Sequence, residues 1–212
     1  MLSNALRVAA GAALVAGLVT GPTGPASAVP TCGYTPAGQA ARDVGTPPTD
    51  VSALKPYAAM LNTSQGIVAF NAATEKAPCT TKSFAHLAGR KYFDGTKCHR
   101  LTTDGIFVLQ CGDPTGTGSG GPGYQFKDEN LTGATYPAGT VAMANAGPGT
   151  NGSQFFLVYK DTQLPANYTP FGDITRGMDV LGTIAEHGTK DGQSDGAPKQ
   201  DVTLNSVRTT TR

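Results

Sequence analysis

The chain has 212 residues, which is enough for one domain of ordinary size with a full hydrophobic core. Charged residues make up 15% of it and the formal net charge is +1, so the composition offers no concentrated basic surface and we expect no nucleic-acid partner. The 28 glycines favour short strands joined by many turns over a helical bundle.

The first 28 residues, MLSNALRVAAGAALVAGLVTGPTGPASA, have the order of a secretory signal. Arg7 precedes an apolar run over residues 8–19, and Ala26 and Ala28 flank Ser27 as in a small-residue cleavage site. The run is short for a membrane span. We therefore expect cleavage near Ala28 and a secreted or extracytoplasmic protein; the alternative is an uncleaved membrane anchor.

Residues 29–54 contain several prolines and glycines and show little apolar periodicity. This composition predicts a linker, or an arm lying on the domain. The domain proper is expected over residues 55–212.

The first predicted elements of the domain are a hairpin and a helix. YAAMLNTSQGIVAFNA contains two short apolar runs around a turn at residues 62–66, which predicts two strands. TTKSFAHLAGRKYF then predicts a helix, with Thr80 or Thr81 as its cap and Gly89 as its end.

The second half of the pattern is again mostly strand. KCHRLTTDGIFVLQCGD predicts two strands around a turn at residues 103–105, and DVTLNSVRT predicts a closing strand. RGMDVLGTIAEHG predicts a second helix that ends at Gly188 and carries an apolar stripe of Met178, Leu181, Ile184 and Ala185. Many strands with two helices indicate a mainly β fold, an antiparallel barrel with helices at its ends.

The 4 cysteines of the chain are Cys32, Cys79, Cys98 and Cys111. An even number in an exported chain predicts disulfides, and four cysteines allow three pairings. We favour Cys98–Cys111, because these two flank one predicted hairpin, with Cys32–Cys79 tying the arm to the first helix. Free buried thiols are the alternative.

Several common motifs are incomplete. Residues 116–121 match G-x-G-x-x-G, but Pro122 follows where a dinucleotide fold needs a helix N-terminus. Residues 147–152 have P-loop spacing but lack the lysine that reaches a phosphate. No C-x-x-C or H-E-x-x-H is present, so we expect no metal and no cofactor.

Two long segments carry a family resemblance. FAHLAGRKYFDGTKCHRLTTDGIFVLQCGDPTGTGSGGPGYQFKDEN, followed by MANAGPGTNGSQFF and PFGDI, resembles the cyclophilins, which are peptidyl-prolyl cis–trans isomerases. The resemblance covers residues 57–207, and Cys98-His99-Arg100 stands where the family has Phe-His-Arg. The turn after Arg100 and the cysteines are similar to an actinobacterial branch. The implied fold is a closed eight-stranded antiparallel barrel capped by two α-helices.

The resemblance also implies the site. The catalytic positions carry over onto Arg100, Phe107, Gln110 and Asn145. The substrate-binding positions carry over onto Val108, Gly116, Met143, Ala144, Gln154, Phe156, Leu164 and Tyr168. Leu164 stands where many members have Trp, and Tyr168 stands, across a gap of one residue, where many have His. Because that Trp contacts cyclosporin in members that bind it tightly, we expect cyclosporin to bind this chain weakly.

The implied reaction needs little chemistry from the protein. Amide resonance holds the Xaa-Pro bond planar behind a barrier of about 18–20 kcal/mol, and no covalent bond forms or breaks when it rotates. A guanidinium such as that of Arg100 can donate hydrogen bonds that strengthen as the amide twists. The expected partners are proline-containing segments of unfolded or exported proteins, and we expect a monomer.

Two other functions stay open. A module of the same fold could bind proline-containing segments without isomerising them, although Arg100 beside Phe107 and Gln110 favours an enzyme. A secreted carbohydrate-binding β module would need aromatic platforms, and the chain has 0 Trp residues.

Overall fold

A computed structural model of the protein describes residues 31–212, so the predicted signal segment lies outside the described residues. The helices are α1 (Pro78–Gly89) and α2 (Met178–Glu186). The strands are β1 (Thr35–Pro36), β2 (Tyr57–Thr63), β3 (Gly66–Ala72), β4 (Thr96–Lys97), β5 (Arg100–Thr102), β6 (Val108–Cys111), β7 (Tyr124–Gln125), β8 (Thr140–Met143), β9 (Phe155–Val158), β10 (Pro170–Arg176), β11 (Asp195–Gly196) and β12 (Thr203–Thr211). Within this part of the chain, no helix has the length and apolar character needed to cross a bilayer.

Most strands belong to one curled antiparallel sheet. Ten of them follow the order β11-β5-β6-β9-β8-β10-β3-β2-β12-β4, while β1 and β7 form a separate two-stranded sheet. The predicted hairpin is present as β2 and β3, which pair from Ala58↔Asn71 to Thr63↔Gly66. The mainly β prediction with two helices is confirmed.

The prediction of a closed eight-stranded barrel is wrong. The sheet has ten strands and two open ends: β11 pairs with β5 alone, and β4 pairs with β12 alone. Each end strand is 2 residues long and presents few main-chain groups for a further ladder. Closure of the barrel would need the end strands β11 and β4 to pair with matching tilt and register. They do not pair, so the sheet is a half-barrel.

The concave side of the sheet and the two helices enclose an aromatic core. Phe84 of α1 is buried and stacks on Phe93 at 5.1 Å between ring centroids, with Phe155 of β9 edge-on at 5.5 Å. On α2, Leu181 and Ile184 of the predicted stripe are buried. This core holds the backbones of β6, β8 and β9 in place.

The start of α1 differs from the prediction. The helix begins at Pro78 with Ala77 at its N-cap, so neither Thr80 nor Thr81 caps it. Glu129 supplies the cap from a distant loop, accepting from the N–H groups of Cys79 at 3.0 Å and Thr80 at 2.8 Å. A cap contributed 50 residues away leaves no local signal in the sequence.

Residues 31–54 form an arm that lies against the domain. Arm strand β1 pairs with β7, and Tyr34 packs edge-on against Tyr124 at 5.5 Å. The Nη1 group of Arg42 donates to the carbonyls of Tyr92 at 2.9 Å and Asp94 at 2.8 Å.

Both favoured disulfides are confirmed. Cys32–Cys79 joins the arm to α1, and Cys98–Cys111 crosses the hairpin of β5 and β6. All four cysteines are therefore bonded.

Candidate active site

A row of side chains crosses four neighbouring strands on one face of the sheet. Arg100 of β5 pairs with Gln110 of β6, Gln110 pairs with Phe156 of β9, and Phe156 pairs with Ala142 of β8. Residues directly opposite each other in a sheet point to the same side. Four positions far apart in sequence thus meet in a line, with a cation at one end and an apolar cluster at the other.

The guanidinium of Arg100 is bound on two sides. Its Nη1 group donates to Oε1 of Gln110 at 3.2 Å. Its Nε and Nη2 groups donate to the two carboxylate oxygens of Asp195, each at 2.8 Å. The hydrogen bond to Asp195 raises the pKa of Arg100, and the same bond lowers the pKa of the Asp195 carboxyl. Both groups are therefore charged at neutral pH.

Two glutamine side chains continue the network. Nε2 of Gln110 donates to Oε1 of Gln154 at 2.9 Å. Nε2 of Gln154 donates in turn to the carbonyls of Gly118 at 2.8 Å and Gly120 at 3.0 Å. Each amide is oriented by a partner on both of its sides, so the position of Arg100 is linked to the loop that follows β6.

The loop after β6 folds around the buried side chain of Asp113. Its side chain is 0% exposed and its carboxylate accepts from the N–H groups of Thr115 at 2.7 Å, Gly118 at 2.7 Å and Gly120 at 3.1 Å. A Cβ at Gly120 would lie 2.0 Å from Oδ1 of Asp113, so the loop can wrap the carboxylate only with glycine there. Burial alone would raise the pKa of Asp113, but the hydrogen bond from the Thr115 hydroxyl and those from the N–H groups outweigh it and lower the pKa.

His99 lies beside this network as a neutral ring. Both ring nitrogens are buried and lack a hydrogen-bond partner among the described residues. Desolvation is the main effect on His99 and lowers its pKa; together with the smaller effect of Arg100 it outweighs Asp113 and Gln154, which raise the pKa. His99 therefore adds no second cation next to Arg100.

The apolar end of the row is a small cluster separate from the main core. Its buried members are Val108, Tyr136, Ala142, Phe156 and Val158. Leu164 and Tyr168 are partly buried against it, and the Tyr168 ring lies edge-on to Phe156 at 5.6 Å. The surface they leave is apolar and aromatic, and it begins one strand away from Arg100.

The comparisons with known proteins agree with this geometry. The family model described as "Cyclophilin type peptidyl-prolyl cis-trans isomerase/CLD" matches residues 58–209. The chain belongs to the cyclophilin family. It is 46% identical over 197 residues to the probable peptidyl-prolyl cis-trans isomerase B of Mycobacterium leprae, an alignment that covers 84% of this chain and 66% of that protein.

Two further relatives extend the comparison. The protein of the same name from Mycobacterium tuberculosis is 49% identical over 159 residues, covering 68% of this chain and 52% of that protein. This cyclophilin thus spans from about half to just under two thirds of the length of these mycobacterial relatives. A crystal structure of a Cryptosporidium parvum cyclophilin type peptidyl-prolyl cis-trans isomerase in the presence of the dipeptide Ala-Pro matches with a TM-score of 0.65 and 30% identity, covering 73% of this chain and 99% of that one.

Three of the positions suggested by the resemblance lie apart from the row in this cyclophilin. Phe107, directly before β6, is half-buried. Its ring lies edge-on to Tyr159 at 6.0 Å, and Nζ of Lys160 lies 4.4 Å from the ring centroid. Met143 is buried in the main core. Gly116 is exposed in the loop between β6 and β7. The remaining predicted positions meet around the row or beside it.

Besides a larger cavity described below, the protein has a second cavity of about 480 Å³ next to Gln110 and Gln154, which Ala144 and Asn145 border. Nδ2 of Asn145 donates to the carbonyl of Asn167 at 2.7 Å, which holds the loop containing Asn145 beside Tyr168. Among the described residues, the main-chain N–H and C=O of Asn145 have no hydrogen-bond partner. They are free to pair with an extended peptide.

The arm also reaches this second cavity, which sequence reasoning did not anticipate. Ala37 forms part of its wall, held there by the bond from its own N–H to the carbonyl of Gly123 at 3.0 Å. Asp195 is the other residue that sequence reasoning missed. It lies 95 residues from Arg100 in a glycine-rich loop, and no motif connects the two.

A larger cavity, about 600 Å³, lies elsewhere, between the segment after β3, residues 130–137 and the start of β10. It contains Glu75, Lys76 and Asp173 but none of the row. We place the candidate site at the row, because that is where a fixed cation, paired amides and an apolar cluster meet. Within residues 31–212, no cluster of three or more His, Cys, Asp or Glu residues could hold a metal ion.

Proposed function

We propose that this cyclophilin catalyses the cis–trans isomerisation of Xaa-Pro peptide bonds, and that its substrates are proline-containing segments of unfolded or exported proteins. The observation that carries the proposal is the row itself, in which Arg100, fixed by Gln110 and Asp195, stands beside the apolar cluster around Phe156. The names of the mycobacterial relatives and of the Cryptosporidium structure support the same reaction.

The apolar cluster suits the proline ring. Phe156, Val108 and Leu164 present a surface with no charged group, where a ring can bind while the acyl side of the amide rotates. Gln110, Gln154 and the free main-chain groups of Asn145 supply hydrogen bonds for the peptide on either side. Rotation about the Xaa-Pro bond requires that the protein hold one side of the bond and leave the other side free to turn.

Arg100 acts on the amide as it twists. Loss of resonance in the transition state leaves a lone pair on the prolyl nitrogen, and a guanidinium N–H can donate to it. This hydrogen bond is stronger in the twisted state than in either planar state, so it lowers the barrier and leaves the ground states nearly unchanged.

Action outside the cytoplasm is part of the proposal. The signal-like order of the first 28 residues supports it, as do the two disulfides, since such bonds persist in oxidising compartments.

The first prediction tests Arg100. In a protease-coupled assay on a short Xaa-Pro peptide, Arg100→Ala should lower kcat/KM by about a hundredfold to a thousandfold, the usual effect of removing one fixed donor to a transition state. Arg100→Lys should also be impaired, because an ammonium lacks the planar set of donors. Arg176→Ala is the matched control, since Arg176 is exposed at the end of β10.

Two outcomes would count against the proposal. Full activity of the folded Arg100→Ala variant would overturn the assigned mechanism. A wild-type protein that binds the peptide, as followed by NMR chemical shifts, but does not accelerate its isomerisation would identify a binding module of the same fold.

A further inference from the structure

The donors of Arg100 can be counted one by one. A guanidinium carries five N–H groups: one on Nε, two on Nη1 and two on Nη2. Asp195 accepts from Nε and Nη2, and Gln110 accepts from Nη1. Three N–H groups are therefore engaged, and one remains on each of the two terminal nitrogens. Two protein partners in one plane restrict both the tilt and the rotation of the guanidinium.

Asp195 is itself held rigidly. Its strand β11 pairs with β5, the strand of Arg100, through Asp195↔Thr102 and Gly196↔Leu101. The loop that carries β11 is closed on itself, because the N–H of Lys190 donates to the carbonyl of Ala197 at 2.9 Å. The carboxylate thus approaches Arg100 from a braced turn, not from a free loop.

From this arrangement we propose that Asp195 is a positioning residue of the isomerase site, which holds the Arg100 guanidinium so that its two remaining N–H groups face the peptide. The inference rests on the proposed function and adds to it a residue that acts through Arg100. Among the described residues, the Asp195 carboxylate accepts its hydrogen bonds from Arg100.

Two opposite effects of Asp195 have to be weighed. Its negative charge partly neutralises Arg100, which weakens the donors, while its geometry fixes them. The side chains are 38% exposed for Arg100 and 54% exposed for Asp195, so water and salt screen the charge effect. The orienting effect depends less on the net charge, because it is set by the geometry of two short hydrogen bonds, each at 2.8 Å. Orientation should therefore dominate, and removing Asp195 should lower activity.

The experiment compares kcat and KM of Asp195 variants in the isomerase assay. Asp195→Ala should lower kcat about three- to tenfold, the cost of ordering one long side chain again in each turnover, with KM nearly unchanged. Asp195→Glu should recover much of the loss, because a carboxylate on a longer stem still reaches the guanidinium. Asp104→Ala, which removes an exposed carboxylate from the turn between β5 and β6, should leave kcat unchanged.

A combined variant separates positioning from a general structural role. If Asp195 acts through Arg100, Asp195→Ala should have no further effect on kcat in the Arg100→Ala background. The Nε–H resonance of Arg100 in ¹⁵N NMR spectra should also exchange faster with water in Asp195→Ala than in the wild type.

The outcomes distinguish this inference from the proposed function. An active wild type whose kcat and Arg100 resonance are unchanged in Asp195→Ala would overturn this inference alone, as would equal losses in both backgrounds. An inactive wild type would overturn the proposed function and, with it, the role assigned to Asp195.

Discussion

Leu164 is the residue at which this site departs most clearly from the pattern of the family. It lies in the loop after β9, partly buried against the cluster of Val108 and Phe156. Tyr168, the second departure, packs edge-on against Phe156 and Tyr136 at 5.6 and 6.2 Å. An aliphatic side chain at this rim offers apolar contact but no hydrogen-bond donor.

We expect this cyclophilin to be weakly inhibited by cyclosporin. Compared with a member carrying Trp at this position, it loses one hydrogen bond, about 0.5–1.5 kcal/mol, and apolar contact worth about 1–2 kcal/mol. Together these correspond to an inhibition constant roughly ten- to several-hundred-fold higher. Leu164→Trp should restore much of the sensitivity while changing kcat/KM little, because the rim makes no contact specific to the twisted amide.

The measurement is an inhibition titration of both proteins on one peptide substrate. Leu131→Trp, which adds an indole in a different loop, controls for non-specific binding of the drug. Tight inhibition of the unmodified protein would show that Tyr168 and its neighbours supply the missing contacts.

At the scale of elements, the glycine loop between β6 and β7 determines where the glutamines point. Its carbonyls at Gly118 and Gly120 hold Gln154, and Asp113 holds the loop. At Gly112, a Cβ would lie 2.3 Å from the carbonyl oxygen of Ser153, so the loop leaves β6 in close contact with the chain entering β9. The ends of two neighbouring strands, a buried carboxylate and a run of glycines thus act together on the amide of Gln154.

Asp113→Asn should therefore reduce both stability and activity. The amide cannot accept all of the hydrogen bonds that the carboxylate accepts, and one buried donor left unpaired costs about 1–3 kcal/mol. The folded-state pKa of Asp113 is lowered, so its contribution to stability is complete above the ordinary value of 3.8 and is lost as the pH falls through the lower folded-state pKa.

Urea unfolding at neutral pH and at a series of values below pH 3.8 tests this directly. The stability difference between wild type and Asp113→Asn should shrink as the solution is acidified. Asp43→Asn, which changes an exposed carboxylate bonded to one N–H group, should show little difference at any pH. A difference that is independent of pH would refute the account of Asp113.

At the scale of the whole molecule, two disulfides tie regions with different roles. Cys32–Cys79 closes a sequence separation of 47 and fastens the arm, while Cys98–Cys111 closes a separation of 13 within one hairpin. A cross-link stabilises a protein mainly by restricting its unfolded chain, and the effect grows with the closed loop.

Removal of the arm disulfide should thus cost more stability than removal of the hairpin disulfide. The chain-entropy relation gives about 4 kcal/mol for Cys32→Ala/Cys79→Ala and about 3 kcal/mol for Cys98→Ala/Cys111→Ala. Activity should survive reduction of both bonds, because no thiol takes part in the proposed chemistry. Urea midpoints of the two double variants test the order of stabilities, and the reverse order would contradict this prediction. Loss of kcat/KM in the double variants or in the folded reduced protein would contradict the prediction on activity.

The sequence by itself determined the features that depend on neighbouring residues and on residue type, namely single helices, hairpins and the family motif. Apolar runs around short turns were enough to predict the hairpin of β2 and β3 and the pair β5 and β6, and the stripe with Leu181 and Ile184 was enough for α2. The flanking positions of Cys98 and Cys111 around one hairpin predicted their bond. The block MANAGPGTNGSQFF, together with Arg100, pointed to the family because its residue types are unusual in combination.

Only the tertiary structure decided which distant segments meet. The order of the ten strands, the open ends of the sheet, the Glu129 cap on α1 and the ion pair of Asp195 with Arg100 all join parts of the chain that share no local pattern. The arm at the second cavity belongs with them. Periodicity and turn chemistry act over a few residues, whereas strand order and partner choice follow from how the whole sheet curls around its aromatic core.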